Sequence, residues 1–539
     1  MYQYININGG YGLAHNGIAE YTSAQALMDQ MDRLGIWQTV LEVDPGTTNA
    51  LYRNRKLLRD MVKLPNWKER IIPAFSADMC TLVQRDGMRQ LVETLQTHRP
   101  NCLALYPKNN SYRLRTIDAV LDQISFLDQV VLINYDQLSH CATSADDLLY
   151  LAKRYPNMRF VVRKGRSPAW QFLFDTVRRA DNIYMDMSRV HTADGIDLAC
   201  EFLGEDKILF GSGRRVDGGA SMGALVYADV SEKTKDKIRW GNFISLFTDP
   251  ADREHLTKNL KTIENKVANS FWTPFMEGKG MGDVEVLDSH AHLGYTASDG
   301  LVYNLTFEDE IKGIERDMER FNIQKIHCAV TGIPDPYECH WEVEEAVRGK
   351  EDHIKGYVRY NPNFESVFTD EFLAERFATG HYVGLKCLPG YMGVDIRDRR
   401  FERMFRYAHE HNLAILIHTW DNSPCLGSAG RCAEAAAKWP NAKVIFGHTG
   451  GGQSGREECE AIAQDPKYNN VWFEFCGSFE ANHTWKETLE FIDYRRVLFG
   501  TDAPIHSTVW ELARLLSEDI PDEQMRAILG GNAKRLFGY

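Results

Sequence analysis

The chain repeats itself. Asn6-Ile-Asn8-Gly-Gly-Tyr11 lines up with His290-Ala-His292-Leu-Gly-Tyr295, 284 residues further on. Ile208-Leu-Phe-Gly211 lines up with Val497-Leu-Phe-Gly500 at a spacing of 289, and Gly241-Asn242-Phe-Ile-Ser-Leu-Phe247 with Gly531-Asn532-Ala-Lys-Arg-Leu-Phe537 at 290. Chance supplies one such match. Three in the same order and at nearly constant spacing mark tandem copies of one domain. A chain of 539 residues is also past the size at which a single hydrophobic core keeps growing.

Within the second copy, short apolar runs alternate with longer amphipathic stretches, the pattern of a parallel sheet covered by helices. The runs predict strands near 285–290, 324–331, 355–360, 382–387, 412–418, 443–448, 471–475 and 496–501. Eight parallel strands close a barrel, and the repeat length suits one of about 250 residues. The fold class is therefore α/β, with two tandem (β/α)8 TIM-like barrels. The expected domains are a first barrel over 1–248, a linker over 249–282 ending in Gly278-Lys-Gly-Met-Gly282, and a second barrel over 283–539.

Composition narrows the partners. A net charge of -13 lacks the basic excess that nucleic acid or an anionic membrane surface requires, so neither is an expected partner. No run approaches the roughly 20 apolar residues of a membrane span, and the N-terminus has no basic stretch followed by an apolar one. The eleven cysteines are scattered without a Cys-x-x-Cys pair, the usage of a reducing cytoplasm. A small-molecule substrate is the remaining expectation.

In a barrel of this kind chemistry sits at the C-terminal ends of the strands. The first strand of the second copy ends Asp288-Ser-His290-Ala-His292, and residues two apart on an extended chain share a face. The fifth strand ends at His418, the sixth at His448 followed by Thr-Gly-Gly-Gly, and the eighth at Asp502. Each alone is weak, because a single His or Asp at a strand end more often serves structure or caps a helix. Together they converge on one mouth only if they share a site. Neutral imidazoles with a carboxylate are the donor set of zinc.

With these motifs quoted, together with Ile417-His418-Thr-Trp420-Asp421, Phe499-Gly-Thr-Asp502-Ala-Pro504 and Ile528-Leu-Gly-Gly-Asn532-Ala-Lys-Arg-Leu-Phe537, the second copy resembles the amidohydrolase superfamily over 285–539. The branch it is most similar to is that of aminocarboxymuconate-semialdehyde decarboxylase and related metal-dependent hydrolases. The resemblance implies that His290, His292, His418 and Asp502 bind one divalent metal, most simply Zn2+, which lowers the pKa of its water. It further implies Asp502 as ligand and base, and His448 as an acid/base or orienting group. Asp288 is expected behind the ligands rather than among them. Lys386, on the fourth strand, stands where binuclear relatives carry a carbamylated lysine; otherwise it is a cation for a substrate carboxylate or a structural residue. Arg359 invites the same readings. Trp420, Tyr391 and His506 are placed to line the pocket or to pack beside it.

The implied activity is a metal-dependent hydrolase of a small organic substrate, acting on an amide, lactone or ester carbonyl with metal-activated water. The alternatives are a non-oxidative decarboxylase of an aromatic or unsaturated acid using the same metal, and a non-catalytic two-barrel binding protein. Relatives in this branch pair into dimers, so the tandem chain is expected to form that pair internally as a pseudo-dimer, with further oligomerisation open.

The first copy has lost the ligands. The sequence match sets Asn6 and Asn8 against His290 and His292, Asn134 against His418, Lys164 against His448, Gly213 against Asp502 and Ala104 against Lys386. Amides, a cation and bare backbone bind a divalent transition metal poorly, so the first barrel is expected to hold none. Arg163, Lys164, Arg166, Arg214 and Arg215 gather at its strand ends, as an anion site, an inter-barrel face or a salt-bridged rim.

Overall fold

A computed structural model of the chain describes residues 2–13, 20–43, 48–138, 145–165, 170–294, 306–330, 335–421, 425–477 and 481–539. Tyr295 and Arg166 lie outside them. The chain divides into two compact units, Met1–Val267 and Ala268–Tyr539.

The first unit carries β1 (Ile5–Tyr11), β2 (Gln38–Val43), β3 (Ile71–Ala77), β4 (Cys102–Leu105), β5 (Val130–Asn134), β6 (Arg159–Arg163), β7 (Ile183–Asp186) and β8 (Ile208–Leu209). The second carries β9 (Val286–Leu293), β10 (Ile323–Val330), β11 (Ile354–Arg359), β12 (Tyr382–Cys387), β13 (Ala414–His418), β14 (Lys443–Gly447), β15 (Val471–Glu474) and β16 (Val497–Leu498). In each unit the eight strands pair in chain order, every neighbouring pair parallel, with helices between them. The ring is drawn shut from the last strand to the first: Ile7 donates its N–H to the Phe210 carbonyl at 3.2 Å, and Ser289 to that of Phe499 at 3.0 Å. Both units are (β/α)8 barrels, as the repeat and the eight apolar runs predict.

The Gly-Asn motif that ends each copy has a structural job in both. Asn242 donates its side-chain N–H groups to the carbonyls of Glu205 and Ile208, and Asn532 donates to those of Tyr494 and Val497. These bonds tie the closing helix to the eighth strand. The same helix then plugs the N-terminal end of its barrel, with Phe243, Ile244 and Phe247 against Ile5, Ile72 and Val130 in the first, and Ala533 and Leu536 against Leu287, Tyr357 and Leu416 in the second. Burial of these apolar side chains, each worth roughly 1.5–3 kcal/mol, seals one end and leaves the polar strand ends at the other.

One detail of the repeat departs from the sequence match. Asp288 accepts from the N–H of His290 at 3.0 Å and of Thr501 at 3.1 Å. Asn6 accepts from the N–H of Asn8 at 3.0 Å and of Ser212 at 2.9 Å in the same pattern. A break in strand register falls between Asn6 and Gly9 in the first barrel and spans Asp288 to Ala291 in the second. The residue in the place of His290 is therefore Asn8, and that in the place of His292 is Gly10, two positions from where the Asn-x-Asn and His-x-His patterns align. The slip arises because both patterns alternate with period two, so the sequence alone does not fix which of two registers holds.

Candidate metal centre

The strand ends of the second barrel bring the expected residues to one buried mouth. His290, 0% exposed, and His292, 3% exposed, follow each other on β9 with ring centroids 5.0 Å apart. Asp502 sits just beyond β16 in a left-handed backbone conformation, a region Asp tolerates better than most residues. Its N–H donates to the His290 carbonyl at 2.7 Å, which fixes the turn against β9. The carboxylate Oδ1 lies 2.7 Å from His292 Nε2 and 3.3 Å from His290 Nε2, while Oδ2 lies 3.3 Å from His506 Nδ1.

Hydrogen-bond partners decide which nitrogens carry protons. His292 Nδ1 faces the Ala329 carbonyl at 3.0 Å, and a carbonyl only accepts, so Nδ1 carries a proton. His292 Nε2 faces the carboxylate oxygen Oδ1 of Asp502 at 2.7 Å. Asp502 is held well below the usual carboxylate range; burial works against its charge, and the imidazoles of His292 and His448 outweigh burial. His290, His292 and Asp502 form one grouping, within 4.8 Å of each other, that could hold a metal ion.

A second grouping shares His290 and adds His448, Glu474 and Cys476. Its nitrogens are committed: His448 Nδ1 donates to the Cys476 carbonyl at 2.7 Å, and His290 Nδ1 faces Glu474 at 2.7 Å. In the first grouping His290 Nε2 faces Lys386 Nζ and His292 Nε2 faces Asp502, both at 2.7 Å. His418 stands beside it, its Nδ1 donating to His448 Nε2 at 3.0 Å, which leaves His418 Nε2 as its own lone pair. Burial pushes the His448 imidazole down to about 4, so it is neutral at ordinary pH.

The other expected residues divide. Lys386, fully buried at the end of β12, places Nζ 2.7 Å from His290 Nε2, and burial lowers its ammonium to about 8. Trp420 lies parallel to the His418 ring at 5.7 Å and edge-on to His448 at 5.5 Å. Gly451 permits this, since a Cβ there would fall 2.4 Å from the indole. Tyr391, exposed, meets His418 at 5.1 Å. Arg359 is buried at the end of β11, and its backbone N–H donates to His340. Asp288 stays behind the cluster, bonded to the backbone of His290 and Thr501, and burial pushes its carboxyl up to about 7.

Sequence reasoning missed Glu474, Cys476 and Glu511. Glu474 ends the apolar run Val471-Trp-Phe, the same grammar that singled out His418 and Asp502, so the signal was present. Glu511, on a helix, carries none; it accepts from the Gly477 N–H at 3.1 Å and pairs with Arg514 at 2.8 Å.

The mouth of the first barrel is built otherwise. Strand pairing sets Asn134 opposite Arg163, as it sets His418 opposite Gly447, so Arg163 occupies the place of Gly447. Its guanidinium, 1% exposed, donates to the Ile7 carbonyl and to Glu42, both at 2.8 Å. Tyr106 donates to the same Glu42 oxygen at 2.5 Å. Lys164 and Arg214 lie 3.9 and 3.7 Å from Glu20. Arg163, Lys164 and Arg214 of this rim thus face the barrel's own carboxylates.

Buried imidazoles and a carboxylate thus converge at the C-terminal strand ends of a (β/α)8 barrel, the end at which such barrels carry their chemistry. Residues 340–539 match the amidohydrolase family. No curated protein matches the chain in sequence. Solved structures similar to about half of it include 5-carboxyvanillate decarboxylase from Sphingomonas paucimobilis, at 13% identity and TM-score 0.36, covering 48% of this chain and 99% of that one. Another is 2,6-dihydroxybenzoate decarboxylase from Rhizobium, at 15% identity and TM-score 0.37, covering 47% and 98%. A third is a probable 2-pyrone-4,6-dicarboxylic acid hydrolase from Acinetobacter baumannii with citric acid bound, at 14% identity and TM-score 0.34, covering 47% and 99%.

Proposed function

We propose that the C-terminal barrel hydrolyses a small organic substrate at an amide, lactone or ester carbonyl, using water activated by one divalent ion, with Zn2+ the best match to the donors. The observation that carries this reading is the convergence of His290, His292 and Asp502, whose ligand atoms lie within 4.8 Å of one another. His290, His292 and Asp502 would hold the ion, with His418 at its side. When bound, it supplies a Lewis acid that polarises an oxygen and lowers the pKa of water.

The chain's own residues supply the rest. Asp502 has an oxygen 3.3 Å from His506, so a proton that reaches the carboxylate has a neighbouring imidazole to share it. His448, fixed by the Cys476 carbonyl, orients His418 and stays neutral. Trp420 and Tyr391 offer aromatic faces beside His418 for a flat substrate. Lys386 and Arg359, at adjacent strand ends, are the cations for a substrate carboxylate. The ten described cysteines are all unpaired, which supports work in a reducing cytoplasm.

The test is to load the full chain with Zn2+ and offer lactones, esters and amides beside aromatic and unsaturated carboxylic acids. Chelator-sensitive ring opening or acyl cleavage is the expected result. Carbon dioxide release without it would move the reading to a decarboxylase using the same site, and no turnover of either kind by metal-loaded protein would leave a binding protein.

A further inference from the structure

A histidine that binds a metal must hold one ring orientation and keep one nitrogen unprotonated toward the ion. We propose that Glu474, at the end of β15, imposes both on His290: it is a positioning residue that holds the Nδ1–H so that Nε2 faces the cluster as a lone pair. This inference rests on the metal-dependent reading above.

The geometry is closed on every side. Glu474 and His290 are both 0% exposed, and Oε2 lies 2.7 Å from Nδ1. The remaining partners of the Glu474 carboxylate are donors: the Cys476 backbone N–H meets Oε1, and the Cys476 thiol and the His448 backbone N–H meet Oε2 at 3.0 and 3.4 Å. On the other edge of the ring, Lys386 Nζ lies 2.7 Å from Nε2, and an ammonium only donates. Both edges therefore specify the same tautomer, proton on Nδ1 and lone pair on Nε2. The space around the pair is kept by glycines. A Cβ at Gly500 would lie 2.8 Å from both the Glu474 carboxyl carbon and His290 Cβ, and one at Gly447 would lie 3.1 Å from His290 Cε1.

The first barrel carries the same latch without the metal ligands. Asp186, at the end of β7, accepts from the side-chain N–H of Asn8, the residue in the place of His290. Gly211, in the place of Gly500, would drive a Cβ to within 2.6 Å of Asp186 and closer still to Asn8. A carboxylate gripping the side chain at this point of the first strand is thus a device of the repeat. In the second barrel it acts on an imidazole, where grip sets tautomer. Outer partners of this kind change metal affinity by about 10–100-fold.

The substitution Glu474→Gln inverts the device. The Cys476 N–H keeps the amide oxygen on its side, so the amide NH2 turns to His290 Nδ1 and demands a lone pair there, which puts the proton on Nε2. The experiment measures Zn2+ affinity of the full chain by competition with a chromophoric chelator, with thermal unfolding of the metal-free protein alongside. Wild type is expected to bind one equivalent, E474Q to bind it about 10–100-fold more weakly, and Asp186→Asn to bind it like wild type. Equal affinity in wild type and folded E474Q would overturn the inference. Failure of wild type to bind any ion would instead overturn the metal-dependent reading. Should E474Q not fold, neutron diffraction of the metal-free wild type decides: a deuteron on His290 Nδ1 supports the latch, and one on Nε2 overturns it.

Discussion

At the end of β13 stands His418, and in the same place on β5 stands Asn134; where β14 ends in Gly447, β6 ends in Arg163. The two barrels share strand order, closing helix, β1-end hydrogen bonds and the carboxylate latch, yet differ in where positive charge comes from. The first holds a guanidinium tethered to its own backbone and buries it against Glu42. The second has a glycine there, and His292 Nε2 and Asp502 Oδ1 face each other at 2.7 Å. The first mouth is filled by the chain's own side chains, Arg163, Glu42 and Tyr106. A cation supplied by the chain, Arg163, stands where the second barrel has Gly447.

The comparison breaks most visibly at the ligands. His290→Ala or Asp502→Ala is expected to lower kcat/KM of the metal-loaded chain by at least ~10³-fold and to abolish stoichiometric metal, because a transition-state stabiliser is removed outright. Asn8→Ala, in the equivalent place of the first barrel, should leave both unchanged. Steady-state kinetics with metal analysis on the three variants checks this, and a comparable loss in Asn8→Ala would mean that the first mouth takes part.

Next in size is the tethered cation. Arg163→Met leaves Glu42 buried without its partner, a change that costs about 3–5 kcal/mol. Denaturant unfolding should show the first barrel destabilised by that amount while the kinetics of the second stay within error. A double variant, Arg163→Met with Glu42→Leu, should recover much of the loss.

The smallest effect is a pH slope. Strand pairing puts His327 of β10 where the first barrel has Val40. Burial pushes the His327 imidazole down to about 3, whereas in the unfolded chain it titrates near 6.5. The folded state refuses a proton that the unfolded state accepts. The second barrel therefore keeps its full stability above pH 6.5 and loses up to ~1.4 kcal/mol per unit as pH falls toward 3. His327→Val should flatten that part of the slope, read from urea midpoints between pH 4 and 7, and leave transitions of the first barrel where they were.

Much of this was legible in the residues because barrel strands are short apolar runs with a polar stop. β12 falls on 382–387 as predicted, and β10, β11, β13 and β14 fall within two residues of expectation. β16 is shorter than its run, since Phe499 and Thr501 leave the ladder to bond across to β9. The lysine and the histidines also declared themselves, each ending such a run. Glu474 followed the same rule and was passed over, because a glutamate after Val471-Trp-Phe resembles an ordinary surface terminus until its 0% exposure is known. The two-residue slip between Asn6 and Asn8 had a different origin: only the paired hydrogen bonds to Asn6 and Asp288 distinguish the registers, and such bonds leave no trace in spacing. Arg163 joined the right cluster, but its partner Glu42 lies on another strand, so its burial was invisible in sequence.

The most direct test is an anomalous difference map, collected at the zinc edge, from crystals of the full chain soaked in Zn2+. The account predicts a single strong peak bounded by His290 Nε2, His292 Nε2 and Asp502, with nothing between Asn8 and Asn134. A peak in the first mouth, or none beside Asp502, would contradict it.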